Sequence, residues 1–115
     1  MSDSQQLWEN YAACWSAAPR ERITALGVVA VDEVAYRDPG TEVSGLAELA
    51  TYMAGFASAF PGHRFRIDEV LDHHDRSLAR WTQLGEQGEA AMAGVSTALH
   101  RDGRLADITG FFLPA

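Results

Sequence analysis

Asp38 is the side chain whose type and place in this sequence best suit proton transfer. It follows the β-branched run Val28 to Arg37 and precedes Pro39-Gly40, so a carboxylate is carried to a strand end and into a turn. Set beside Tyr and Trp rings, such a group has its charged form penalised by desolvation, which suits it to shuttle a proton. Asp-Pro-Gly is equally good turn chemistry, with the Asp side chain accepting a bond from a backbone N–H two residues on. Both readings stand at this point. Tyr11 and Trp15 lie on an apolar helical stripe, where aromatics serve core packing or a pocket wall, and Trp81 needs a partner for its indole N–H once buried.

Other reactive types point elsewhere. His73 and His74 are adjacent in a polar link, where their rings are expected to point apart, and His63 and His100 stand near other element ends. This is no metal-ligand spacing, and neither a metal nor a cofactor is expected. His63 is the histidine placed to approach a pocket mouth. Cys14 sits inside the apolar stripe of the first helix with no cationic neighbour in sequence, which reads as a buried, inert thiol. No glycine-rich loop follows a strand as a phosphate cradle would require.

The elements that must position these groups follow from periodicity. Leu7, Trp8, Tyr11, Ala12, Cys14, Trp15 and Ala18 recur at helical steps behind Ser2, Asp3 or Ser4 as N-cap. Pro19 opens a second helix, Arg20 to Leu26, with Ile23 and Leu26 facing inward and Gly27 as its stop. Val28 to Arg37 forms one or two extended pieces. Ser44 or Gly45 caps a third helix, on which Leu46, Leu49, Tyr52, Met53 and Phe56 share a face before Phe60-Pro61-Gly62 ends it. From Phe65 the period changes to two, predicting strands near Phe65 to Leu71, Ser77 to Leu84, Ala90 to Leu99 and Leu105 to Leu113. Short polar links between them predict an antiparallel meander.

Bulk properties narrow the classes further. A chain of 115 residues, 47% of them hydrophobic, is the usual size for one domain with its own core. Sixteen acidic against nine basic residues give a net charge of −7, which repels phosphate backbones and anionic membrane surfaces. All nine basic residues are Arg, a mark of a GC-rich bacterial genome. A single Cys and an N-terminus without leader character predict a cytoplasmic protein, and no apolar run approaches the length of a membrane span.

The order of these elements, together with specific residues, resembles the nuclear transport factor 2-like superfamily, which includes ketosteroid isomerases and SnoaL-like polyketide cyclases. The residues that carry the likeness are Tyr11 to Trp15, Tyr36-Arg37-Asp38-Pro39-Gly40, Ser44-Gly45, Phe60-Pro61-Gly62, Trp81, and Asp102-Gly103-Arg104 leading into Ile108-Thr109-Gly110-Phe111-Phe112. The resemblance implies an α+β fold in which a curved antiparallel sheet, a cone-shaped barrel, packs against three helices from the first half and encloses a funnel-shaped cavity. It also implies a homodimer through the convex face, built by Val95, Thr97, Leu99 and Phe111. Alternation then turns Ala79, Trp81 and Gln83, Gly94, Ser96 and Ala98, and Ile108, Gly110 and Phe112 toward the cavity, with Trp15, Met53 and Phe56 on its helical wall and His63 near its mouth.

In ketosteroid isomerases the Asp of a similar Asp-Pro turn is the general base, facing an oxyanion hole of Tyr and a protonated Asp. Asp38 matches the base and Tyr11 the tyrosine. Ser96 stands where the second Asp is expected, and a serine hydroxyl is a weaker oxyanion stabiliser. Two functions follow as expectations: proton transfer on a small apolar, carbonyl-bearing ligand, with Asp38 and Tyr11 as catalytic pair, or a non-catalytic ligand-binding or dimerisation module of the same fold.

Overall fold

A computed structural model describes residues 3–114. Three helices, α1 (Asp3–Cys14), α2 (Pro19–Val29) and α3 (Leu46–Ala59), combine with six strands. The strands are β1 (Ala30–Asp38), β2 (Thr41–Ser44), β3 (Arg64–His73), β4 (Arg76–Leu84), β5 (Ala90–Arg101) and β6 (Arg104–Phe112). They form one curved sheet in the order β2-β1-β6-β5-β4-β3. The expected meander of β3 to β6 is present, with every neighbouring pair antiparallel. One pairing differs from a wholly antiparallel sheet: β1 lies parallel to β6, with β2, α3 and the strands β3, β4 and β5 between them along the chain. The sheet is therefore mixed, and it stays open, with β2 and β3 as its edges.

Turn chemistry fixes the meander's register. His74-Asp75 and Asp102-Gly103 are two-residue links in which both residues have positive φ, from 49° to 76°, the conformation that matches the twist of paired strands. The first link brings His73 and His74 Nδ1 to 3.1 Å of each other, so these rings face one another instead of pointing apart. The left-handed backbone at His74 turns its side chain back toward its neighbour.

The helical half departs from expectation in four places. Helix α1 ends at Cys14, four residues before Ala18, and Trp15 continues as a turn. Its end is closed from α2: buried Arg22 donates from Nε to the Cys14 carbonyl (3.0 Å) and from Nη2 to the Ala17 carbonyl (2.8 Å). Charge-assisted bonds of this kind stabilise by about 1.5–3 kcal/mol each, and a cation suits the negative end of a helix. Arg22 therefore takes the inward place that the pattern assigned to Ile23, which is 46% exposed. Gly27 does not stop α2, which runs on to Val29; a Cβ at Gly27 would meet Leu46 Cδ1 at 3.6 Å, so the glycine sits at the contact with α3. Of the candidate first-helix caps, Asp3 and Ser4 fall inside α1, and Ser2 lies outside the described residues.

The core lies between the helices and the concave face of the sheet. Trp8, Leu26, Val34, Leu49, Met53, Leu105 and Ile108 are its fully buried side chains. No helix of the described residues is long and apolar enough to cross a membrane.

Candidate active site

Between α1, α3 and the concave face is a cavity of about 290 Å³ whose walls are largely aromatic. Trp15 is the hub of one wall, with its ring centroid 5.5–5.9 Å from those of Tyr36, Tyr52, Phe56 and Phe65. The pairs with Tyr52, Phe56 and Phe65 are edge-to-face and add about 0.5–1.5 kcal/mol each beyond area burial. Trp81 forms part of the floor. Its indole crosses β5 at Gly94, where a Cβ would overlap the ring, so the floor depends on the missing side chain.

Asp38 reaches this cavity from the end of β1, and three donors hold it. The Tyr36 hydroxyl donates to Oδ2 at 2.6 Å, the Tyr52 hydroxyl donates to the same oxygen at 2.9 Å, and the Gly40 backbone N–H donates to Oδ1 at 2.8 Å. The last bond is the turn contact expected of Asp-Pro-Gly, so the turn role and the cavity position are held by one side chain. The local sequence explains the rest. Tyr36 and Asp38 are two apart on one strand and so share a face, and Tyr52 arrives from α3 one turn before Phe56.

Tyr11 lines the same cavity from α1, and its buried hydroxyl has no hydrogen-bond partner among the described residues. Burial is the main cause that raises its pKa; the Trp15 side chain offsets part of this without reaching hydrogen-bond geometry, and nearby Asp38 adds to the rise. Burial likewise raises Tyr36, helped by its bond to Asp38, and pushes Tyr52 up to about 12. All three phenols of the chain are therefore held protonated, able to donate hydrogen bonds.

Of the remaining residues singled out from sequence, Trp15, Phe56, Trp81, Gln83, Ser96 and Phe112 also line the cavity. Ser96 Oγ accepts from Trp81 Nε1 at 3.0 Å. Met53 and Ile108 are fully buried in the core and are not among the lining residues. His63, expected near the mouth, is not among the lining residues either; its Nδ1 lies 2.8 Å from Nε2 of Gln83, which does line the cavity. The sequence reading did not place Tyr36 and Tyr52 at the site, nor the wall residues Trp8, Phe60, Phe65 and Met92. Among the described residues no group of three or more His, Cys, Asp or Glu side chains is placed to hold a metal ion. Cys14 is buried, and burial raises its thiol pKa.

A carboxylate and a phenol without a partner among the described residues, in one aromatic-walled cavity under helices and over an open mixed sheet, define the site of a small α+β protein. A match to the SnoaL-like domain over residues 7–108 shows that the chain belongs to that family. Solved structures share the fold. A SnoaL-like family protein of proposed isomerase activity from Agrobacterium tumefaciens superposes with a TM-score of 0.92 at 20% identity, covering 99% of this chain and 100% of that one. A proposed SnoaL-like polyketide cyclase from a Jannaschia species gives 0.78 at 13% identity, over 96% and 84% of the two chains. A proposed ketosteroid isomerase from Kribbella flavida gives 0.74 at 16% identity, over 98% and 79%. No functionally curated protein matches the chain.

Proposed function

We propose that the cavity binds a small, mostly apolar molecule bearing a carbonyl group, and that Asp38 takes a proton from the carbon beside that carbonyl. The electron pair moves onto the carbonyl oxygen, where the Tyr11 hydroxyl donates to the developing charge. Return of the proton at another carbon gives an isomerase, and attack of the enolate on a second carbonyl gives a cyclase. The observation that carries this reading is the Tyr11 hydroxyl, buried without a partner among the described residues in the cavity that also holds Asp38. An unsatisfied buried hydroxyl costs about 1–3 kcal/mol, a cost that a ligand oxygen would remove. Among the described residues Asp38 keeps an open position too: Oδ2 accepts two phenols, but Oδ1 carries one bond, from the Gly40 N–H.

Hydrogen–deuterium exchange at the α-carbon of 2-tetralone, an enolisable bicyclic ketone, tests the pair. The protein is expected to accelerate exchange above buffer, and Tyr11→Phe is expected to slow that acceleration on the order of 100-fold while leaving Asp38 in place. Exchange by Tyr11→Phe at the wild-type rate would remove the tyrosine from the mechanism.

A second reading, a binding or dimerisation module without turnover, draws on the outer face of the sheet. There Leu71, Leu99 and Phe111 are 57%, 47% and 54% exposed, beside Val95 and Thr97. We propose that a second copy of the chain covers this face, by the two-fold self-pairing usual for such patches. Sedimentation at micromolar concentration is expected to give the dimer mass; a monomer throughout that range contradicts the interface. With a net charge of −7, the partners of this protein are proposed to be small molecules and its own copy, not nucleic acid.

A further inference from the structure

A buried polar chain leads from the cavity wall to the far side of the sheet. Trp8 lines the cavity, is 1% exposed, and packs edge-to-face on Tyr11 with the ring centroids 5.6 Å apart. Its indole N–H donates to Ser77 Oγ on β4 at 2.8 Å, and the same Oγ lies 2.6 Å from His100 Nε2 on β5. Ser77 is buried and His100 is partly exposed, so the chain ends where protons can reach it. An indole can only donate, so Ser77 Oγ accepts from Trp8, and His100 Nε2 is the acceptor left among the described residues for the serine proton. All three groups are therefore satisfied when His100 is neutral with Nε2 bare. A proton on Nε2 turns that atom into a donor, and the serine proton loses its acceptor.

Burial holds the His100 imidazole below the ordinary histidine range, against the opposing pull of the carboxylates of Asp72 on β3 and Asp75 in the β3–β4 link. On its other sides β6 brings the apolar Leu105 opposite it, and α1 reaches it by way of Trp8 and Ser77. A folded pKa below the unfolded one gives stability that is present above the unfolded pKa and lost as the pH falls, so acid strains this chain.

We infer that Ser77 and His100 are positioning residues: with His100 neutral they hold Trp8, and through its ring Tyr11, in place on the cavity wall. Neither is among the residues lining the cavity, so they act on a ligand through Trp8. The assignment rests on Tyr11 being the donor in the proposed proton transfer.

Two readouts on wild type, His100→Gln and Ser77→Ala test it between about pH 8 and 5, the range in which histidine titrates. The Trp8 indole N–H resonance of wild type is expected to shift with the same midpoint as the His100 ring. It should stay fixed in His100→Gln, whose amide oxygen can accept from Ser77 without titrating. Protein-dependent deuteration of 2-tetralone is the second readout. The wild-type acceleration is expected to match that of His100→Gln within about twofold at the upper pH and to fall about three- to tenfold below it at the lower, the effect of one buried hydrogen bond. Ser77→Ala, which cuts the chain, should show the lowered acceleration at both ends of the range. An indole resonance that stays fixed while His100 titrates, a constant ratio of wild type to His100→Gln, or Ser77→Ala at the full wild-type rate overturns the positioning role and leaves the proton-transfer reading standing. No acceleration by wild type at any pH removes that reading, and the positioning role with it.

Discussion

Raising the pH of the folded protein from 9 to 11 is expected to produce almost no tyrosinate absorbance, followed by release of all three phenols in one step as the chain unfolds. All three tyrosines, Tyr11, Tyr36 and Tyr52, line the cavity, and the folded pKa of each is raised from 10.0, chiefly by burial. A phenol whose folded pKa lies above its unfolded value stabilises the fold fully below pH 10. That stability is lost as the pH rises, because the unfolded chain gives up a proton that the folded chain keeps. Each such group costs about 1.4 kcal/mol per pH unit in this range, so the nearly buried pair Tyr11 and Tyr36 together cost about 3 kcal/mol per unit. Tyr52, pushed up to about 12 but only partly buried, adds less because solvent screens it. Against a typical stability of about 5–15 kcal/mol, unfolding should follow within a few pH units above 10. The coincidence of circular dichroism and absorbance near 295 nm checks this. A phenol that titrates near 10 in the folded state would show that one wall of the cavity is open to water.

The same phenols mark where sequence reasoning reached and where it stopped. The strands of the meander were legible because alternation and turn residues agree: Asp102-Gly103 and His74-Asp75 both close two-residue links. The inward face of β4 and β5 followed at once, since Trp81, Gln83 and Ser96 share its parity, and all three line the cavity. Distance along the chain hid other features. Tyr36 shares a strand face with Asp38 and was open to the same parity argument, but Tyr52 reads as one more apolar position on α3. Only the packing of α3 against β1 shows that its hydroxyl meets a carboxylate 14 residues earlier. Arg22 is a similar case. Its charge suggests a surface residue, and its burial depends on two carbonyls left open where α1 ends early. Parity alone also could not separate wall from core: Ile108 and Phe112 share a face of β6, but Ile108 lies deep among core side chains and Phe112 stands toward the cavity, 42% exposed.

The largest expected loss of activity belongs to Asp38→Asn. Asn is nearly isosteric and its carbonyl oxygen can accept both phenols, so the aromatic wall and ligand affinity should survive within a few-fold. The cost falls near Gly40, whose N–H would face an amide N–H₂ in place of Oδ1. What the amide cannot do is accept a proton at pH 7, and positioned proton transfer contributes about 10²–10⁴-fold to rate. The central claim is that Asp38 is a proton acceptor and not only a turn residue. The measurement that tests it most directly is protein-dependent α-deuteration of 2-tetralone by wild type and Asp38→Asn, with ketone binding measured on both. Exchange is expected to fall at least about 100-fold in Asp38→Asn with binding retained; full exchange by a variant that still binds the ketone would leave Asp38 a turn residue only.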